Sequence, residues 1–248
     1  MSIAENLERV RAEIAAAATK AGRNAAEVKL MAVSKTWGPP AFVEAFRAGQ
    51  RLFGENRVQE WEHKRDQLHT LLGEGVGEVE MHLIGNLQSN KTSKSAWLFS
   101  GVDAVDSMKV ARRLHDVCDQ VGKVLPVLVE VKLSEEDSKQ GIDPYGLMGL
   151  LRNMHELDGL DIRGLMTVPP YLDDAEDARP YFRRLRELRD EAVATIEGLV
   201  MPELSMGMSH DFAVAIEEGS TCVRIGSAIF GKRSVTAEVS KDESDDEA

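Results

Sequence analysis

The stretch Val28-Lys29-Leu30-Met31-Ala32-Val33-Ser34-Lys35-Thr36-Trp37-Gly38-Pro39-Pro40 decides the reading of the fold. Val28 to Ser34 is short, mostly apolar and without helical period, as expected of a strand buried on both faces. It ends at a lysine. Gly38-Pro39-Pro40 then breaks the chain and starts a helix carrying Phe42, Phe46 and Gly49. An open, doubly wound sheet would usually carry a glycine-rich dinucleotide loop after its first strand, and Ser34-Lys35-Thr36-Trp37 is not one.

Working outward, Ile3, Leu7, Val10, Ile14, Ala17 and Ala21 recur at helical spacing upstream, and Ser2 with Glu5 forms a capping-box pattern. Downstream, Arg51 to Glu55 reads as a second strand. Val58, Trp61, Leu68 and Leu72 mark a helix, Met81 to Ile84 a third strand, and Gln88 to Ala96 a short helix before a strand around Leu98 to Val105. A helix follows through Val110, Leu114, Val117 and Val121, capped by Ser107 and stopped by Gly122. Val124 to Val131 is the fifth strand, Leu147 to Met154 a helical face, and Ile162 to Met166 the sixth strand. Phe182, Leu185, Leu188, Ala192, Ile196 and Leu199 predict a long amphipathic helix. Strands around Glu203 to Met206 and Thr221 to Ile225 complete the series, separated by a helix that Ser209 could cap and Gly219 could end. Eight strands alternating with helices, with no break in composition, predict a single α/β domain, a (β/α)8 TIM barrel with an extra N-terminal helix, over residues 1–233. Residues 234–248 read as an acidic, disordered tail.

The 248 residues carry a formal charge of −12, with 43% hydrophobic and 29% charged residues. That balance suits a soluble globular chain and argues against nucleic acid as a partner. No apolar run is long enough to span a bilayer, and the N-terminal residues lack the pattern of a secretory signal, so a cytoplasmic protein is expected. Cys118 and Cys222 are far apart and lack metal-ligand spacing, which fits a reducing compartment and offers no disulfide framework.

In a parallel barrel, functional side chains project from the C-terminal strand ends, and phosphate commonly binds after strands seven and eight. Lys35 ends strand one, Glu55 and Asn56 strand two, Gly85 and Asn86 strand three, and Met166 and Thr167 strand six. A lysine at the end of an apolar strand can be desolvated into a nucleophilic amine. The same position also suits a lysine that snorkels outward. Ser205-Met206-Gly207-Met208-Ser209 and Arg224-Ile225-Gly226-Ser227 supply small residues, hydroxyls and a guanidinium as two halves of a phosphate cup. An imine-forming lysine beside such a cup fits a phosphorylated aldehyde. Both pyridoxal 5'-phosphate (PLP) and a sugar phosphate handled by a lysine-dependent aldolase meet that description. His82 and His210 read as structural histidines, so no metal site is expected. Lys91 and Lys94 read as a solvated face, and Met206 and Met208 as packing around their loop.

Several longer motifs carry a resemblance across nearly the whole chain. These are Ala32-Val33-Ser34-Lys35-Thr36, Phe53-Gly54-Glu55-Asn56 with Val58-Gln59-Glu60, and His82-Leu83-Ile84-Gly85-Asn86-Leu87-Gln88-Ser89-Asn90-Lys91. Gly164-Leu165-Met166-Thr167, Leu204 to Ser209 and Arg224 to Gly231 follow in order. Together they resemble the pyridoxal phosphate homeostasis protein family, related to the N-terminal barrel domain of alanine racemase. The resemblance implies PLP as cofactor, held on Lys35 as an internal aldimine. Ser205, Ser209, Gly226 and Ser227 would lie near its phosphate, Arg224 would face its pyridine nitrogen, and Asn56 would sit beside the ring or its lysine. The expected cofactor-binding set is Lys35, Asn56, Met166, Ser205, Met208, Ser209, Arg224, Gly226 and Ser227. The family commonly has threonine where this chain has Ser227, and the acidic tail lies outside the shared pattern.

Alanine racemase adds a β-rich second domain that this chain is not expected to contain after Gly231, and no acid–base pair beyond Lys35 is evident. The expected role is therefore a monomeric PLP carrier acting in homeostasis, with PLP-dependent apoenzymes as possible recipients. An amino-acid racemase or related PLP enzyme is the alternative, and a regulatory scaffold using the Gln88 to Lys91 surface or the tail is a third.

Overall fold

The computed structural model describes residues 1–88, 90–134 and 140–231. The tail expected at 234–248 lies outside these described residues. The chain begins with α1 (Ile3–Lys20), then alternates β1 (Lys29–Val33), α2 (Pro39–Arg47), β2 (Leu52–Glu55), α3 (Val58–Leu72), β3 (Glu80–Leu83), α4 (Thr92–Leu98) and β4 (Gly101–Val105). It continues through α5 (Met108–Gln120), β5 (Leu125–Glu130), α6 (Pro144–His155), β6 (Leu160–Met166), α7 (Arg179–Thr195), β7 (Glu203–Ser205), α8 (Phe212–Glu217), β8 (Cys222–Ile225) and α9 (Ser227–Phe230). Every neighbouring strand pair is parallel, and β8 returns to β1 to close the barrel. The open-sheet alternative is thereby excluded.

The alternation of side chains along each strand divides them between two cores. On β1 and its extension, Ala32 packs outward into the main core between strands and helices, while Met31 packs with Leu52, Cys222 and Ile84 in a separate cluster. Ala104, Leu128 and Met166 form another small cluster. The same alternation gives Ser34 the outward face and Lys35 the inward one.

The added N-terminal helix is tied to the far end of the chain. Its capping box is formed, with Ser2 Oγ accepting from Glu5 N–H and the Glu5 carboxylate accepting from Ser2 N–H. Leu7, Val10 and Ile14 face the core. Asn6 donates to the Ile229 carbonyl at 2.8 Å and Arg9 to the Ala228 carbonyl at 2.9 Å, so α1 fastens the short α9 turn that follows β8. α8 is held from its other side by Arg179, Arg183 and Arg186, which surround the buried Glu218 carboxylate. Burial alone would raise the pKa of Glu218, but these guanidinium groups hold it below the usual carboxylate value.

Several boundaries differ from expectation for local reasons. The helix expected from Gln88 to Ala96 forms at Thr92–Leu98, so Leu98 belongs to it rather than to the next strand. Lys123 donates to the Ala96 and Phe99 carbonyls and Trp61 to that of Leu98, satisfying a late helix end. The α7 helix stops at Thr195, because Ile196 is extended and Gly198 has φ 78°. Ile196 and Leu199 are nevertheless buried, so their apolar spacing reports burial beyond the helix. Ser209 does not cap α8. That helix begins at Phe212, and the Asp211 carboxylate accepts the Met208 N–H at 2.6 Å.

At the N-terminal end of the barrel, Lys29, Glu80, His82, Asp103, Asp161, Arg163 and Glu203 line a cavity of about 240 Å3. His82 Nδ1 and Asp103 Oδ1 are 2.8 Å apart. Burial opposes the imidazolium, but Asp103 and Glu80 outweigh it and push the His82 pKa up to about 10. Since this folded-state value exceeds the unfolded one, the pair's stabilisation is complete below about pH 6.5 and is lost as pH rises through about 10. The melting temperature of the wild type should therefore fall over that window, relative to a His82→Gln/Asp103→Asn variant. An imidazole proton resonance titrating near the ordinary histidine value would refute the pairing.

Candidate functional site

The β1 strand delivers Lys35 to the C-terminal mouth, where it lines a cavity of about 420 Å3 with Asn56, Met208, Ser209, Arg224, Gly226 and Ser227. This volume lies in the range of small-molecule sites, roughly 300–1,000 Å3. The structure thus gathers ends of β1, β2, β7 and β8 around one space. Of the expected binding residues, Met166 and Ser205 do not line it. Met166 is fully buried with Ala104 and Leu128, and Ser205 is fully buried with its hydroxyl engaged by Arg224. Both side chains therefore support the cavity rather than form its wall.

Arg224 is fixed by two of its nitrogens. Nη1 donates to Ser205 Oγ at 2.7 Å and Nη2 to the Thr167 carbonyl at 2.8 Å. Burial draws its pKa below the ordinary arginine value, with Cys222, Asp103, Glu130 and Asp211 opposing the shift. Nearby Cys222, with its thiol pushed up to about 12 by burial, is a packing residue rather than a nucleophile.

The loops after β7 and β8 meet where the Ser209 hydroxyl accepts the Ala228 N–H at 3.4 Å. Ser209 therefore still has its own proton to donate. The N–H groups of Ser209, His210 and Gly226 have no hydrogen-bond acceptor among the described residues. Gly207, at φ 95°, makes this loop possible: a Cβ there would stand 2.6 Å from that of Ala215. Available backbone donors and hydroxyls on two adjoining loops suit an oxyanion such as phosphate.

A second set of residues lies behind the lysine, and the sequence reading gave Glu60 and Lys64 no part in it. Thr36 has φ 68°, the only positive value among the described non-glycine residues, and its N–H donates to Glu60 Oε1. Lys64, also on α3, is buried and donates to the Ser34 carbonyl at 2.9 Å and to the Glu55 carboxylate. Ser34 Oγ donates to the same Glu55 oxygen at 2.7 Å. Burial raises the Glu55 pKa, and Lys64 counters it. Glu60 lay within the motif Val58-Gln59-Glu60, but nothing in local spacing links it or Lys64 to Lys35. Gly85 has a related supporting position, because a Cβ there would stand 2.4 Å from the Asn56 carbonyl oxygen.

The outer wall adds Trp37, Pro170, Tyr171, Leu172, Asp174, His210 and Asp211. Trp37 stacks on Phe230 with ring centroids 5.9 Å apart, and Tyr171 lies against His210 at 5.6 Å. His210, expected to be merely structural, therefore reaches the cavity. Met208 does so as well, whereas Met206 is fully buried as expected of a packing residue. Lys94 pairs with Glu62 on the surface.

The alanine racemase, N-terminal domain, family matches residues 6–234. Together with the closed barrel and the lysine at its mouth, this match defines the class as a barrel of the alanine racemase N-terminal type. The pyridoxal phosphate homeostasis protein of Escherichia coli K12 is 43% identical over 236 residues, covering 93% of this chain and 97% of that protein. PipY of Synechococcus elongatus PCC7942, solved with PLP bound, is 36% identical with a TM-score of 0.82, covering 93% of this chain and 100% of that one. An alanine racemase of Clostridium difficile 630 shares the fold, with a TM-score of 0.68 at 15% identity, over 94% of this chain and 57% of that one. The chain belongs to the pyridoxal phosphate homeostasis protein family.

The buried pair behind Lys35 makes a specific stability prediction. Lys64→Met leaves the Glu55 carboxylate buried without its cation, and urea unfolding should register a loss of about 3–5 kcal/mol. Adding Glu55→Gln should recover part of it. A loss under about 1 kcal/mol would mean that the pair behaves as a solvated surface bridge.

Proposed function

We propose that this chain binds PLP in the C-terminal mouth of the barrel and carries it covalently on Lys35. The observation that carries this reading is the meeting of Lys35 in one cavity with the N–H groups of Ser209, His210 and Gly226, which have no acceptor among the described residues. One end of that cavity suits an aldehyde and the other a phosphate. The Lys35 amine would condense with the cofactor's aldehyde, releasing water. Ser209, Gly226 and Ser227 would hold the phosphate, and Asn56 and Met208 would border the ring. Arg224 would face the ring nitrogen, with Ser205 fixing the guanidinium and Met166 packing beneath the site. PLP, when bound to enzymes, supplies an electron sink, and an arginine in place of a carboxylate at the nitrogen would weaken that property.

A carrier role fits the engagement of nearby acid–base groups. Asp211 accepts from Met208 N–H, Asp174 from Glu176 N–H, and His210 Nε2 is 3.1 Å from the Asp173 carbonyl. Each has a partner within the loops that border the cavity, whereas racemisation requires groups positioned on both faces of a substrate. The role that follows is PLP homeostasis in the cytoplasm, by a monomer that exchanges cofactor with PLP-dependent apoenzymes. Among the described residues, no helix is long and apolar enough to cross a membrane.

Purified protein mixed with PLP should develop a visible absorbance band, and borohydride should fix the cofactor to the Lys35 peptide. Lys35→Ala should lose that peptide adduct. No band and no modified Lys35 would sink the reading and reopen the lysine-aldolase one, while steady racemisation of alanine or serine that depends on Lys35 would favour the enzyme alternative.

A further inference from the structure

The turn after β1 combines a costly backbone conformation with an external clamp. Thr36 is β-branched, and a φ of 68° places its Cβ in a region such residues rarely occupy. A conformation of this kind persists only where its surroundings over-determine it. Here the surroundings are one helix. Glu60 accepts the Thr36 N–H, and Lys64, one turn later on α3, lies 3.6 Å from the same Glu60 oxygen. Lys64 also holds the Ser34 carbonyl, which receives the Trp37 N–H at 3.1 Å and so closes the turn. These contacts fall on the residues to either side of Lys35 and on the residue after Thr36. They leave little freedom in the direction from which the lysine enters the cavity.

We infer that Glu60 is a positioning residue for Lys35: by holding Thr36 in its left-handed conformation, it sets the lysine amine where the cofactor's aldehyde can meet it. This rests on the proposed attachment of PLP to Lys35. Glu60 does not line the cavity, and its side chain is 26% exposed on α3, so its removal opens no void in the apolar core. Its effect on the ligand runs through the backbone of the turn. Without the clamp, Thr36 relaxes toward ordinary negative φ, and the Cα–Cβ direction of Lys35 changes with it.

The test is a double-mutant cycle read by PLP titration of the visible band, with borohydride trapping and peptide mapping in each variant. Glu60→Ala should weaken PLP binding roughly tenfold, the size expected when a strained conformation loses its support. Glu60→Gln, which keeps an acceptor oxygen, should recover most of that affinity. In a Thr36→Gly background the loss caused by Glu60→Ala should shrink, because glycine adopts the turn conformation without the Cβ clash. Equal affinities for wild type and Glu60→Ala would overturn the inference, as would a Glu60→Ala loss undiminished by Thr36→Gly. Absence of a Lys35 adduct in the wild type is a different result: it would overturn the attachment itself, and the inference with it.

Discussion

The site depends on the return of β8 to β1. Pairing of Lys29 with Cys222, Met31 with Arg224 and Ala32 with Ile225 closes the sheet. It also sets the end of the first strand beside the end of the last. Lys35 and the Gly226-Ser227 turn, almost the full barrel apart in sequence, thereby border one cavity. A shift of that register by one residue would exchange the inward and outward faces of β1, sending Lys35 toward the helices and Ser34 toward the mouth. The tie from α1 to the Ala228 and Ile229 carbonyls secures the same seam from outside.

Charge is distributed along the barrel according to what can satisfy it. The middle of the interior is apolar, filled by Met31, Leu52 and Cys222 and by Ala104, Leu128 and Met166. Polar groups collect at its two ends and behind the strand exits. His82 is paired with Asp103, Arg224 is held by Ser205 and Thr167, and Lys64 is held by Glu55 and Ser34. Each arrangement answers the desolvation cost of a buried ion with an opposite charge or with hydrogen bonds. At the mouth the logic differs, since the backbone donors of Ser209, His210 and Gly226 have no acceptor among the described residues. The contrast distinguishes groups that maintain the fold from groups available to a ligand.

Much of this was legible along the chain. The apolar runs ending at Lys35 and Glu55 reflect strands whose C-terminal halves are covered on both faces, and the Ser2–Glu5 cap marked the first helix correctly. Local chemistry was less secure at element ends. Ser209 has the composition of a helix cap, yet its hydroxyl receives Ala228 N–H from a different loop while Asp211 occupies the cap position. The family resemblance implied a phosphate contact for Ser205, but the buried Arg224 engages its hydroxyl. In both cases the partner lies beyond α8, on β8 or the α9 turn that follows it.

The sequence by itself determined the alternation of strands and helices, the placement of Lys35 at a strand end and the two small-residue loops late in the chain. Hydrophobic period and turn chemistry are local properties, so residues a few positions apart suffice to reveal them. The tertiary structure alone decided that Lys35 faces inward, that Met166 and Ser205 lie behind the cavity wall, and that Glu60 and Lys64 brace the turn beside the lysine. Those outcomes depend on strand register and on where α3 crosses the ends of β1 and β2. They follow from closing the barrel, because closure places distant side chains in contact and determines which buried polar groups can satisfy one another.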